Sequence, residues 1–378
     1  MKNENLKIVM YHGRAAGHNI MPFLEYFNTR KDIDFTFCYN EDRDFYPDKL
    51  NIKFFKIEAN PGSILKLNKL LNDNIDIIWY HGGHSPYIFA LFQRLRSSKT
   101  KFIFNVWNEW ILRRAVKKDF RASVYRWAIR KSDVLHCNWH GTAEVVKELN
   151  LHQNVKVFYW GLHPEYFTTN TLPPVEETIK FFNWLPKDKT IFFFPKSISS
   201  SSRHDLVVKA GKILIDKGIT NFKAVLWLGN RSNEELETSY ENLIGKLNVR
   251  EYVDFYHHKF IPFNDIRLIW ERVDCGLQIA VNEQLSTTFL EPQFFKKEII
   301  VTDIEPYRIY NEKMEVNLPL IPLDENALAE RMEQVIIGNT PDHKTLEFRS
   351  QKVAENFNII KSIEKITKYY EDQVKRFS

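Results

Sequence analysis

Cysteine is nearly missing. Cys38, Cys137 and Cys275 are the only three in 378 residues, each lies inside an apolar run, and no two share a C-x-x-C spacing. That excludes a disulfide framework and a thiolate zinc site, and leaves buried thiols in a reducing compartment. Glycine is scarce at 13 residues, and no G-x-G-x-x-G follows a strand-like run, so a dinucleotide fingerprint is lacking. No stretch approaches the length of a membrane span. The opening MKNENLKIVMYHG carries an apolar run of four residues before a histidine, too short for a secretory signal, and a cytoplasmic protein is expected. A strong charge of one sign is lacking too. The 53 basic and 48 acidic residues give +5, which suits an anionic ligand or an anionic membrane surface but is too weak to argue for nucleic acid.

What is present is a globular composition, 44% hydrophobic, 27% charged and 14% aromatic, in a chain long enough for two domains with separate cores. Leu6 to Tyr11 reads as a buried strand. It runs into the small-residue loop His12 to Asn19 and an amphipathic helix over 20–27, the opening of a doubly wound sheet. Further strands are predicted at 34–39, 52–57, 75–80 and 101–107. Asp32 and Asp34 spell D-x-D in a polar turn before a strand and read as a solvated turn, not a metal site.

Ligands of open α/β sheets gather beyond the carboxyl ends of the strands. Three such ends carry polar and aromatic residues: His12 to Asn19, with Gly17 and His18; His81 to His84; and Asn105 to Trp110, with Asn108. His81 either handles a proton or a sugar hydroxyl, or is a loop histidine bonded to backbone. Trp107 and Trp110 either stack on a sugar ring or pack. Residues 111–131 form one basic amphipathic helical segment, either a dock for anionic lipid headgroups or a solvated face.

The polar stretch 168–175, with its double proline, is the clearest punctuation, and 186–189 is a second break. A new buried strand follows at 190–194 (TIFFF). A second alternation then runs through helices at 205–217, 233–247 and 264–272 and strands at 223–228, 253–256 and 275–280. The last of these leads into Asn282 to Glu291 (NEQLSTTFLE). A strand end, a short polar loop and a helix start make an anion site from free backbone N–H groups and the positive helix end. Glu283 and Glu291 frame it. The alternative is that Thr288 and Glu291 form a capping box and Glu283 is a solvated loop carboxylate. A strand at 298–302, a helix from Asn326 and a long helical C-terminal region complete the chain.

These residues carry a resemblance. Glu283 and Glu291 match the E-x7-E motif of the GT-B, GT4-type retaining glycosyltransferases; Leu228-Gly229-Asn230 matches their strand-to-glycine turn, and Ile299 to Asp303 a strand behind the motif helix. Val157 to Phe167 and Asp76 to His81 resemble two segments of their first domain. The resemblance implies two Rossmann-like domains facing a cleft: an acceptor domain over 1–168, a linker over 169–189 and a donor domain over 190–355. The remaining helix, 356–378, would cross back to the first domain. It also implies a role for each site residue. Glu291 would bind the nucleotide ribose, Glu283 the donor sugar, and Gln284, Leu285, Ser286 and Thr287 the diphosphate, with Gly229 and Lys259 beside the nucleotide. Lys196 and Arg203 would form the diphosphate clamp with their charges in swapped order, and His81 would orient the sugar. His12, Gly17, His18, His84, Asn108 and Trp110 would face the acceptor. Two departures stand out: Gln284-Leu285-Ser286 replaces the family's glycine-rich loop, and Pro292 is expected to push Glu291 away from helical angles.

The expected activity is metal-independent transfer of a sugar from a nucleoside-diphosphate-sugar to a hydroxyl of a glycan, lipid-linked and at the inner face of the membrane, with no cofactor and no nucleic acid. A nucleotide-sugar epimerase and a non-catalytic glycan-binding or partner subunit are the alternatives.

Overall fold

The computed structural model describes residues 5–15, 20–42, 50–81, 86–106, 109–168, 173–228, 233–257 and 262–375. The chain divides into two compact units, one formed by Met1–Gly161 with Asn358–Ser378, the other by Leu162–Phe357.

In the first unit the order is β1 (Leu6–His12), β2 (Arg14–Ala15), α1 (Met21–Thr29), β3 (Ile33–Tyr39), β4 (Glu41–Asp42), β5 (Lys53–Lys56), α2 (Pro61–Leu71), β6 (Ile77–His81), α3 (Pro86–Leu95), β7 (Lys101–Val106), α4 (Glu109–Ala115), α5 (Phe120–Lys131), β8 (Val134–Cys137), α6 (His140–Glu148) and β9 (Val155–Val157). Seven strands make a parallel sheet in the order β5-β3-β1-β6-β7-β8-β9. Both faces are covered, which is why its strands read as near-continuous apolar runs. Val9 and Tyr11 enter one core, with Phe89, Leu112 and Val146 from the helices. Ile8 and Met10 enter the other, with Phe23 and Phe27 of α1.

The second unit holds α7 (Glu176–Trp184), β10 (Thr190–Phe194), α8 (His204–Asp216), β11 (Phe222–Leu228), α9 (Glu234–Leu247), β12 (Val253–His257), α10 (Phe263–Arg272), β13 (Cys275–Gln278), α11 (Thr287–Phe294), β14 (Glu298–Thr302), α12 (Glu305–Met314), β15 (Leu320–Ile321), α13 (Glu325–Ile336) and α14 (His343–Asn356). Its parallel sheet runs β12-β11-β10-β13-β14-β15. The final helix, α15 (Ile359–Lys375), belongs to the first unit; Ile363, Ile366 and Tyr370 pack beside α1, and Glu371 pairs with Arg30 at 2.8 Å.

Three local outcomes differ from the sequence expectations. The basic segment is two helices rather than one: α4 ends at Ala115, and Asp119 caps the start of α5, accepting from the Ala122 amide at 2.9 Å. Within the stretch expected as linker lies α7, anchored by Phe181 among Phe193, Trp227 and Tyr256. Pro292 sits inside α11 rather than ending helical geometry before it. Space for its ring comes from Gly276, where a Cβ would lie 3.0 Å from Pro292 Cβ and Cγ. The D-x-D carboxylates are ordinary surface ion pairs, Asp32 with Arg30 at 2.6 Å and Asp34 with Lys53 at 2.8 Å.

Candidate functional site

In each sheet the first strand has later strands on both sides, β3 and β6 flanking β1, and β11 and β13 flanking β10. Chains leaving such a pair diverge to opposite faces, so a crevice opens beyond their carboxyl ends. Lys196 follows β10 and Glu283 follows β13, which is why residues so far apart in sequence meet.

Lys196 Nζ lies 2.6 Å from Glu283 Oε2 and 3.0 Å from Ser286 Oγ. Gln278, the last residue of β13, is fully buried and points its amide into the same cluster. Its Nε2 donates to Glu283 Oε2 at 3.4 Å and Ser286 Oγ at 3.3 Å, and its Oε1 accepts from Thr288 Oγ1 at 3.4 Å. Ser286 is the N-cap of α11 with no side-chain cap bond of its own. The serine run 199–202 is laced to this edge, Val281 N donating to Ser201 O and Arg203 N to Ile279 O, both at 3.0 Å. His204 closes the loop from below. Burial pushes its pKa down to about 4, so it is neutral, and its Nε2 lies 3.1 Å from the Lys196 carbonyl. Gln284, Leu285 and Thr287 are half-buried along the loop.

Glu291 is only 5% exposed and both its oxygens are engaged: Oε1 accepts from Tyr166 Oη at 3.0 Å and Oε2 from Trp270 Nε1 at 3.1 Å. Burial raises its pKa, against the lowering influence of those two donors and of Lys196. The capping box is not made, because Thr288 spends its hydroxyl on Ser286 and Gln278. Arg203 grips Asp205 through two 2.7 Å bonds and faces an open recess of about 550 Å³, shared with Lys209, Tyr240 and Lys246. Lys196 is thus engaged by Glu283, and Arg203 by Asp205.

In the first unit, His81 ends β6 in register with His12 of β1 and Asn105 of β7. The ring is fully buried, with its centroid 4.5 Å from that of Trp79 and 5.6 Å from that of Phe23. Its Nδ1 lies 3.0 Å from Asn105 Nδ2. Burial, then His12 and His136, hold its pKa well below the ordinary value, and the imidazole is neutral. His12 is half-buried. Gly17, His18, His84, Asn108, Gly229 and Lys259 lie outside the described residues, as does the side chain of Trp110.

Gln278, Tyr166 and Trp270 were not singled out from sequence. Gln278 had a signal, a polar side chain in the otherwise apolar CGLQIA. Tyr166 stands 125 residues from Glu291, and nothing local announces that contact. Among the described residues, no three His, Cys, Asp or Glu side chains converge as a metal site.

Two such sheets, with this edge on the second, define the fold of the GT-B glycosyltransferases. The chain matches a glycosyltransferase from Rickettsia africae ESF-5 with a TM-score of 0.75 and 16% identity, over 99% of this chain and 100% of that one. It matches Alr3699/HepE from Anabaena, solved with UDP, with a TM-score of 0.75 and 12% identity over 97% and 100%. For WaaG, a glycosyltransferase involved in lipopolysaccharide biosynthesis, the values are 0.65 and 13% over 95% and 98%. Residues 175–353, within the second unit, match the family Glycosyl transferases group 1, and glycosyl transfer is the reaction class this supports. The sequence matches none of the curated proteins.

Proposed function

We propose that the protein is a retaining glycosyltransferase that moves a sugar from a nucleoside-diphosphate-sugar to a hydroxyl of a glycan acceptor without a metal ion. The observation that carries the reading is Lys196 with Ser286 at the start of α11, on the edge where β10 and β13 diverge. An ammonium and a helix N-terminus are the groups that stabilise a departing diphosphate where no divalent ion does so. Support for the donor class comes from HepE, which was solved with UDP and with UDP-glucose. In this mechanism the leaving phosphate oxygen takes the acceptor proton as the hydroxyl attacks from the same face, and no side-chain nucleophile is needed. Glu283 holds donor-sugar hydroxyls, Glu291 the ribose and Arg203 the outer phosphate, while neutral His81 orients the donor sugar.

The acceptor is proposed to be lipid-linked, and the protein to work at the cytoplasmic face of a membrane. On and before α5, Val116, Phe120 and Trp127 are 42%, 72% and 43% exposed amid exposed Lys117, Lys118, Arg121, Arg130 and Lys131. Aromatic side chains among cations suit an anionic lipid surface. No described helix is long and apolar enough to cross the bilayer.

One observation favours a second reading, a non-catalytic partner subunit: both oxygens of Glu291 are already held by Tyr166 and Trp270. The test is turnover of UDP-, GDP- and ADP-sugars with and without a membrane glycan extract and with EDTA. Acceptor-dependent release of one nucleoside diphosphate, unchanged by EDTA and with retained anomeric configuration, supports the enzyme. Donor conversion without acceptor points to an epimerase, and no turnover points to the partner subunit.

A further inference from the structure

Lys196 and Glu283 join the ends of two central strands across 87 residues of sequence. The carboxylate is fixed from more than one direction. Its Oε2 accepts from the Lys196 ammonium at 2.6 Å and from the Gln278 amide at 3.4 Å. An ammonium and a side-chain amide are donors an oxyanion seeks, and one carboxylate oxygen accepts from both, while Ser286 Oγ at the helix start accepts from the same two groups beside it. Gln278 gives the arrangement its anchor. A fully buried amide needs hydrogen-bond partners, and this one donates to Glu283 and Ser286 and accepts from Thr288. Its role is therefore to hold this cluster, not to complete the apolar core around β13.

Building on the donor reading above, we propose that Glu283 is the resident counter-ion of the phosphate subsite, positioned over Lys196 by Gln278, and that it determines how tightly free diphosphate is held. An entering donor displaces the carboxylate from Lys196 and leaves it to accept hydroxyls of the sugar. After transfer the carboxylate returns to the ammonium and competes with the product diphosphate, which shortens its stay. The chain thereby uses one glutamate in two states, on the cation when the subsite is empty and on the sugar when it is filled.

The experiment is calorimetric titration of the full chain with inorganic pyrophosphate and, separately, with UDP, GDP and ADP, at low and high salt. Wild type is compared with Glu283→Gln and Glu283→Ala, the second variant guarding against a peculiarity of the first. Both are expected to bind pyrophosphate about tenfold more tightly, equal to about 1.4 kcal/mol. Their affinity should also fall more steeply with salt, since a cation has lost its partner. Gln278→Leu is expected to share part of the gain in the wild-type background and to add nothing to Glu283→Gln, a pattern that simple loosening of the strand would not give. Unchanged or weaker pyrophosphate binding in both Glu283 variants overturns the proposal, and leaves the donor reading standing if wild type binds UDP. Tighter pyrophosphate binding with no binding of UDP, GDP or ADP supports the counter-ion and overturns the donor reading. Pyrophosphate binding by none of the proteins overturns the counter-ion proposal, and overturns the donor reading as well only if wild type binds no nucleoside diphosphate.

Discussion

Tyr166→Phe removes one oxygen from the second unit and leaves Glu291 Oε1 without its donor. The carboxyl is 5% exposed, so water cannot replace the lost bond. A hydrogen bond to a charged group contributes about 1.5–3 kcal/mol, and the thermal midpoint should fall by about 3–12 °C for a unit of this size. The cost depends on ionisation. Burial already holds the Glu291 pKa above its ordinary 4.5, and loss of the phenol raises it further. Stability contributed by such a raised carboxyl is fully present below 4.5 and is lost as pH rises through the folded value, more deeply in the variant. The difference from wild type should therefore be small at about pH 4 and largest at about pH 8. Glu291→Gln supplies the control, since its carbonyl can accept from Trp270 while its amide donates to the Tyr166 hydroxyl. In that background Tyr166→Phe should cost about 1 kcal/mol at either pH, the value of a neutral bond. The assay is urea unfolding of the four proteins at both pH values. Equal costs in both backgrounds, or a cost independent of pH, would refute the reasoning.

Glu298 is 2% exposed and bridges Arg331 at 2.6 Å and Arg349 at 3.1 Å. Glu298→Ala strands two guanidinium groups in the interior and should cost about 3–5 kcal/mol, measured by urea unfolding; a loss well under 1 kcal/mol would mean water reaches the site. His136 is buried, with its pKa pushed down to about 4, and takes up a proton from 6.5 downward only on unfolding. Stability should thus fall as pH drops from 6.5 towards 4, by up to about 1.4 kcal/mol per pH unit for this group, and His136→Leu should flatten that slope. Vesicles containing anionic lipid should bind the chain in a salt-sensitive manner, at about 1 kcal/mol per engaged cation, and Phe120→Ser with Trp127→Ser should weaken it. Sedimentation without binding, or binding indifferent to salt, removes the membrane surface from the proposal.

Much of this was legible in the chain, and the reasons are physical. Buried parallel strands are near-continuous apolar runs, so LKIVMY and TIFFF announce the first strand of each sheet. Strand ends carry the ligand-binding edge, so locating β13 was enough to bring the loop with Glu283 and Ser286 forward, whereas Lys196 came forward only through the family resemblance. Contacts made between distant segments were not legible. Glu291 meets Tyr166 and Trp270 only after folding, and Arg203, the N-cap residue of α8, pairs with Asp205 in the first turn of that helix. Pro292 misled because its helix position depends on Gly276 in another strand. The break at Asp119 was readable, since a side chain that can cap stood three residues before the amide it accepts from.

The most direct test is titration of wild type and Lys196→Met with UDP, GDP, ADP and CMP, with and without EDTA, followed by thermal midpoint. Ligand that binds only the folded chain raises the midpoint by mass action, so even micromolar affinity registers. The expected result is stabilisation by one nucleoside diphosphate, unaffected by EDTA and largely lost in Lys196→Met. Stabilisation that survives Lys196→Met, or that requires a metal, would contradict the ammonium's place in the site, and no response to any nucleotide would contradict a donor site altogether.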